Sequence, residues 1–186
     1  DLGIMVSASH NPYQDNGIKI FGKDGFKLTD AQELEIERLI EELPPQHLTE
    51  TAPSRVESSQ FVQEYIDFLK SQTETGLGPL RIGLDVCNGS AHAIAPQVFR
   101  ELDASVVVIN DKPDGRNINL NCGSLHLSQL ISLVKARELD LGVAFDGDAD
   151  RSLFVTPRGR VFDGDFVLFV LALHFHGRQQ LTANKV

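Results

Sequence analysis

The stretch "LRIGLDVCNGSAHAIAPQVFRELDASVVVI", residues 80–109, decides the fold. Leu80–Val86 alternates apolar and polar residues as a strand does. Ile94, Val98, Phe99 and Leu102 then return at helical spacing, and Ser105–Ile109 is a short β-branched run. Strand, helix and strand in that order require a crossover, which places the two strands parallel in one sheet with the helix against a face. The turn between, "DVCNGSA" at Asp85–Ala91, contains Gly89 but lacks the GxGxxG spacing of a dinucleotide site, so it reads as structural. The alternation continues downstream. Leu127, Leu130, Ile131, Val134 and Leu139 mark a second helix, and Leu141–Phe145 the next strand. Ser152–Thr156, a "PRGR" turn and Val161–Phe162 form a hairpin, followed by an Asp165–His176 helix. The fold class is α/β, with mixed, mostly parallel sheets flanked by helices.

Upstream, "TETGLGP" at Thr73–Pro79 carries two glycines and a proline without apolar periodicity and reads as a linker. It divides the chain into residues 1–75 and 76–186. In the first span, Leu2–Ser7 and Ile18–Phe21 read as strands joined by a polar loop. "TDAQ" at Thr29–Gln32 matches a capping box. Behind it Ile36, Leu39, Ile40 and Leu43 share a helical face until Pro44-Pro45 stops the helix. Phe61, Val62, Tyr65, Ile66 and Leu69 predict another helix.

A chain of 186 residues, 41% of them hydrophobic, buries a real core. The formal net charge of −9 argues against nucleic-acid and membrane-surface partners, which call for basic patches. An anionic substrate would need local cations or a metal to draw it in. Cys87 and Cys122 are the only cysteines. They are far apart in sequence and fit neither a disulfide framework nor a zinc site, as expected of a cytoplasmic protein. The apolar run Phe166–Phe175 is about half the ~20 residues of a membrane span, and the expectation is a buried helix. The chain starts inside a strand without an initiator Met and stops at "NKV", which reads as another strand beginning, so a fragment cut at both ends is expected.

"GVAFDGDADR", residues 142–151, switches from apolar to acidic. Asp146, Asp148 and Asp150 follow the C-terminal end of a predicted strand, the edge at which open α/β sheets bind ligands. Gly147 and Ala149 are small enough for the loop to curl and the carboxylates to converge. Three hard oxygen donors suit Mg²⁺ or Ca²⁺ rather than zinc, and a divalent ion would cancel their repulsion. The bland alternative is a solvated turn. An EF-hand starting at Asp146 fails, because Arg151 and Pro157 stand where Gly and Glu are required. A haloacid-dehalogenase nucleophile would have Thr or Val where Asp150 stands. Arg151 is either a phosphate clamp or an internal partner for Asp150.

"SASHNP" at Ser7–Pro12 presents Ser9 beside His10 in a loop turned by Asn11-Pro12. A serine needs a base or an electrophile to act as a nucleophile. Adjacency in sequence does not make Ser9 and His10 a pair, and alone the loop reads as a polar turn. Lys19, in "DNGIK", adds a positive charge or is a solvated strand lysine. Asp163 or Asp165 caps the helix that follows. His174 and His176, two apart on that helix, point to different sides and make poor co-ligands.

"SASHNP", "DNGIK" and "DGDADR", in that order, resemble the α-D-phosphohexomutases over essentially the whole chain. Residues 7–28 and "NCGSLH" at Asn121–His126 are most similar to the bacterial phosphoglucosamine mutase branch. The resemblance implies two consecutive phosphohexomutase-type domains, the first incomplete, with the third and fourth domains as missing partners in the same chain. It implies that Ser9 carries a phosphoryl group whose oxygen completes the shell of one Mg²⁺ held by Asp146, Asp148 and Asp150. Lys19 and Arg151 would lie near the phosphoserine, Lys19 as a proton-transfer candidate, and His10 would line the same site. The implied partners are a hexosamine phosphate, a hexose bisphosphate intermediate or activator, and, as a candidate, a second copy of the chain. Glucosamine 6-phosphate and glucosamine 1-phosphate would be interconverted in the cytoplasm by the intact enzyme, and this stretch alone is expected to be inactive. The alternatives are a sister mutase for mannose or glucose phosphates and a non-catalytic cation-binding module.

Overall fold

The computed structural model describes residues 2–43 and 59–177. Pro44-Pro45 and the terminal "NKV" lie outside the described residues. The first elements are β1 (Gly3–Ser7) and β2 (Gly17–Phe21), an antiparallel pair in which Met5 faces Lys19 and Ser7 faces Gly17. A short 3₁₀ turn at Tyr13–Asp15 sits in the loop between them. Helix α1 (Asp30–Glu42) opens with the expected capping box: Gln32 Oε1 accepts the Thr29 N–H at 3.0 Å and the Thr29 hydroxyl at 2.9 Å. Helix α2 (Ser59–Ser71) buries Ile66.

The remaining strands, β3 (Arg81–Asp85), β4 (Ser105–Ile109), β5 (Leu141–Phe145), β6 (Ser152–Val155) and β7 (Val161–Phe162), form one sheet in the order β4-β3-β5-β6-β7. The parallel part is β4, β3 and β5, and β6 and β7 return antiparallel. The sheet is therefore mixed, and the strand–helix–strand reading of residues 80–109 holds.

Helices α3 (Ala91–Glu101) and α4 (Ser128–Ala136) cover opposite faces of the sheet. Strand alternation sorts the core accordingly. Ile82, Leu84 and Val143 point to the α3 side, where Ala91 and Ala104 complete one cluster. Ala144 and Val155 point to the α4 side, against Leu130, Val134 and Leu139. Helix α2 lies against α3, with Lys70 Nζ 2.6 Å from Glu101 Oε2.

Asp85 ends β3 with its side chain fully buried. Its Oδ1 accepts the Cys87 N–H and the Asn110 amide, each at 3.1 Å, and Oδ2 accepts the Gly123 N–H at 2.9 Å. Burial holds its pKa above the ordinary aspartate range, while the Gly123 and Cys87 N–H groups and the Asn110 amide pull the other way. One carboxylate thus ties three chain segments together under the edge of the sheet. Asp85→Ala leaves two buried backbone N–H groups unpaired, and the expected loss is at least about 2 kcal/mol in urea unfolding.

The last helix, α5 (Gly164–Gly177), corrects the sequence reading. Asp163 caps it as expected, accepting the Phe166 N–H at 3.2 Å. The helix was expected to be buried, yet no residue of α5 is, and Leu168 is 67% exposed. Its apolar residues run all round the helix, and it packs chiefly on β7 through a Phe162–Phe166 stack at 3.8 Å. One short strand cannot cover every side of such a helix.

Candidate active site

The acidic loop is the six-residue connection between β5 and its antiparallel neighbour β6. Its ends are laced together. The Asp146 N–H reaches the Arg151 carbonyl at 3.3 Å, and Asp146 Oδ1 accepts the Arg151 N–H at 3.2 Å. The Ala149 N–H closes a turn onto the Asp146 carbonyl at 3.1 Å, with Ala149 in the left-handed region at φ +61°. This curl brings one oxygen each from Asp146, Asp148 and Asp150 within 4.8 Å of one another.

The turn that the sequence marked as structural is what supports this loop. The Ser90 N–H donates to the Gly147 carbonyl at 2.9 Å. Gly89 is required there, because a Cβ on it would lie 2.3 Å from that carbonyl oxygen.

The serine loop leaves β1 at Ser7. Ser9 sits at φ +52°, a conformation that costs an ordinary residue about 1–2 kcal/mol. Ser7 Oγ accepts the Ser9 N–H at 2.9 Å, and the Asn11 N–H closes onto the Ala8 carbonyl at 2.9 Å. The loop arrives at the acidic cage side chain first. Ser9 Oγ donates to Asp148 Oδ1 at 3.3 Å, and Ser7 Oγ stands 3.5 Å from Asp148 Oδ2. Lys19, projecting from β2, pairs with Asp148 Oδ2 at 3.0 Å. His10 Nδ1 is 3.3 Å from Ser9 Oγ, so the two neighbours do meet here, a contact their adjacency alone could not establish. Arg151 is half exposed, with Nε 3.8 Å from Asp150 and 4.0 Å from Asp146, too loose to be consumed by either. A cavity of about 420 Å³ opens beside the meeting point, between Ser7–Ala8 and Asn88–Ser90, with Asp148 on its wall.

The carboxylates are not equivalent. Asp146 is buried, and burial pushes its pKa up, with Asp150 and Asp148 adding repulsion against the Arg151 N–H. Its Oδ2 is buried and accepts no hydrogen bond. For Asp148, burial also pushes upward but is outweighed, first by the Lys19 hydrogen bond and charge and then by Ser9, so its pKa falls below the ordinary range. An orphaned carboxylate oxygen beside two further carboxylates fits a hard divalent cation.

Two residues that the sequence did not single out belong to the site. Ser7 braces the backbone of Ser9. Asn119, in the Gly115–Asn121 loop, donates its amide to the carbonyls of Ser9 at 2.9 Å and Asn11 at 2.7 Å. No motif marks either; only their contacts do.

Comparison with known proteins agrees with this arrangement. Residues 63–159 match phosphoglucomutase/phosphomannomutase, alpha/beta/alpha domain II, and residues 1–47 match alpha/beta/alpha domain I. The chain is 51% identical over 185 residues to phosphoglucosamine mutase of Deinococcus deserti, covering 98% of this chain and 41% of that protein. It is 46% identical over 195 residues to phosphoglucosamine mutase 2 of Shewanella baltica, covering 100% of this chain and 43% of that one. The X-ray structure of a phosphoglucomutase/phosphomannomutase family protein from Burkholderia thailandensis superposes with a TM-score of 0.73 at 26% identity, over 96% of this chain and 38% of its own. The chain thus spans less than half the length of the relatives it matches. With a serine hydroxyl and an aspartate trio meeting on a mixed α/β scaffold, and both domain matches in order along the sequence, the chain belongs to the phosphoglucomutase/phosphomannomutase family.

Proposed function

We propose that this chain forms part of a cytoplasmic phosphoglucosamine mutase, interconverting glucosamine 6-phosphate and glucosamine 1-phosphate, with Ser9 as the residue that carries the phosphoryl group. The observation that supports this most is the 3.3 Å approach of Ser9 Oγ to Asp148, between loops 139 residues apart. Asp146, Asp148 and Asp150, together with an oxygen of the seryl phosphate, would hold Mg²⁺. When bound, that ion supplies charge neutralisation to the phosphoryl group.

The rest of the chemistry falls to the chain's own groups. Phosphoryl transfer is chiefly positioning and charge balance. In the forward half, the phosphoryl group leaves Ser9 Oγ for a hydroxyl of the sugar phosphate, giving a bisphosphate. In the return half, the other phosphate of that bisphosphate passes back to Ser9 Oγ. Lys19 Nζ, tethered beside the serine by Asp148, is placed to exchange a proton with the sugar hydroxyl. Arg151, free of a tight internal partner, serves equatorial phosphate oxygens. His10 steadies the serine oxygen. In this reading residues 1–75 bring the serine loop and residues 76–186 the cage, and the remaining length of the relatives supplies what grips the sugar.

The test uses the full-length protein, incubated with glucose 1,6-bisphosphate and Mg²⁺. Intact mass should rise by one phosphoryl group, carried on the peptide containing Ser9. Glucosamine 6-phosphate should then be turned over with a higher kcat/KM than mannose or glucose 6-phosphate. An unmodified Ser9 without turnover overturns the proposal. A preference for mannose or glucose phosphate overturns only the amino-sugar assignment.

The raised Asp146 pKa adds a pH prediction. A cation binds the carboxylate and competes with the proton. Mg²⁺ affinity should therefore weaken on acidification, beginning above the pH at which an ordinary aspartate titrates. Mg²⁺ titration calorimetry from neutral pH downward checks this; an affinity flat through the mildly acidic range contradicts it.

A further inference from the structure

We infer that Asn119 is the positioning residue that holds the serine loop in register with the aspartate cage, an inference that rests on the phosphoserine reading above. Ser9 occupies a conformation that serine does not favour, and such a backbone persists only when its surroundings over-determine it. Its N–H is held from within the loop, by Ser7 Oγ. Its carbonyl is held from outside, by Asn119 Nδ2 at 2.9 Å, and the same amide reaches the Asn11 carbonyl at 2.7 Å. The two protons of one side chain thus bracket the stretch that contains Ser9, His10 and Asn11.

Asn119 is itself fixed. Its Oδ1 accepts the Cys87 thiol at 3.0 Å, so Nδ2 must face the two carbonyls, and its N–H donates to the Cys87 carbonyl at 3.2 Å. Its φ of +59° is one that asparagine tolerates better than most side chains. The acidic loop meets the same point. A Cβ on Gly147 would fall 2.3 Å from the Ser9 carbonyl oxygen and 2.8 Å from Asn119 Nδ2. The Ser9 carbonyl therefore lies against the backbone of the cage with Asn119 as its donor. A neutral amide suits this place: a lysine or arginine there would compete with a cation for the three carboxylates, and an acid would add to their repulsion.

The direction of Ser9 Oγ follows from the rotation of the Ser9 backbone. Without the amide, the carbonyl is free to turn away from Gly147 and the hydroxyl to swing off Asp148. A displacement of about 1 Å in a positioned nucleophile costs about a hundredfold in rate.

The experiment compares full-length parent, Asn119→Gly and Asn119→Asp proteins. Glycine accepts the positive φ without strain, and aspartate keeps the shape but donates nothing. Two quantities are read: hydrogen exchange of the Ser9–Asn11 amides, with β3 and β5 as internal reference, and mutase kinetics with glucosamine 6-phosphate. Exchange at Ser9–Asn11 should rise at least about tenfold in both variants while β3 and β5 stay unchanged. The kcat should fall about 10–100-fold with KM changing less than about threefold. Unchanged exchange at Ser9–Asn11 overturns the inference whatever the kinetics, and so does a rise shared equally by β3 and β5, which marks general destabilisation. Faster exchange confined to the loop, with a parent that lacks mutase activity, upholds the positioning role and removes the functional reading instead.

Discussion

Ser9→Ala in the full-length protein should reduce mutase turnover by about 10⁴-fold or more, as loss of a covalent nucleophile does elsewhere. The substitution removes the atom that the proposed chemistry needs and little else. Alanine bears the same left-handed φ penalty as serine, so the backbone cost is already present in the parent. The lost contacts are one hydrogen bond to Asp148 at 3.3 Å and one to His10 at 3.3 Å, both long. Net stability should therefore fall by no more than about 1 kcal/mol. The three carboxylates remain within 4.8 Å of each other, so Mg²⁺ should still bind. The combination is diagnostic: no phosphoryl group gained from a hexose bisphosphate, a near-parental melting temperature and retained cation binding. A variant that keeps a hundredth of parental turnover would show that another residue carries the phosphoryl group.

The parts of this architecture set by nearest neighbours in sequence were readable, and those set by contact across the chain were not. Residues 80–109 fold as read because alternation and helical spacing each admit one element there, and because a parallel pair requires a crossover. The acidic loop was readable because like charges at alternate positions, just after an apolar strand, are costly unless something joins them. Asn119 was invisible for the opposite reason. A single asparagine among others in "NINLN" carries no periodicity, and its partners lie more than a hundred residues away. The left-handed φ of Ser9 and Ala149 was hidden too, since those residue types do not advertise it as glycine or asparagine would. "DVCNGSA" was misjudged in importance rather than in shape. It is structural, but what it braces is the cage, through Ser90 on the Gly147 carbonyl. For α5, composition indicates an apolar helix and says nothing of which surface meets it.

Asp148→Asn separates a catalytic cage from a merely structural cation site. The side chain is 3% exposed and accepts Lys19, Ser9 and Ser7, so asparagine keeps the shape while withdrawing the charge. Two stability effects then oppose each other in the cation-free protein. The depressed pKa of Asp148 means that its ionised form contributes stability above the unfolded-state pKa, and this is lost as pH falls through the folded one. At neutral pH the substitution forfeits that contribution, though the 40% exposure of the Lys19 side chain limits it through solvent screening. Against this, removing one of three like charges relieves Asp146, whose pKa should move down toward the ordinary range. The two effects should leave the melting temperature without cation within a few degrees of the parent, on the order of 1 kcal/mol. Turnover should fare differently. Loss of one charged group that positions both the cation and Lys19 should lower kcat by about 10²–10³-fold, with Mg²⁺ affinity reduced by about tenfold or more. If the trio were structural, the main result would instead be a large fall in melting temperature measured with saturating Mg²⁺, with turnover per folded molecule preserved. That outcome would detach the aspartates from the chemistry assigned to Ser9.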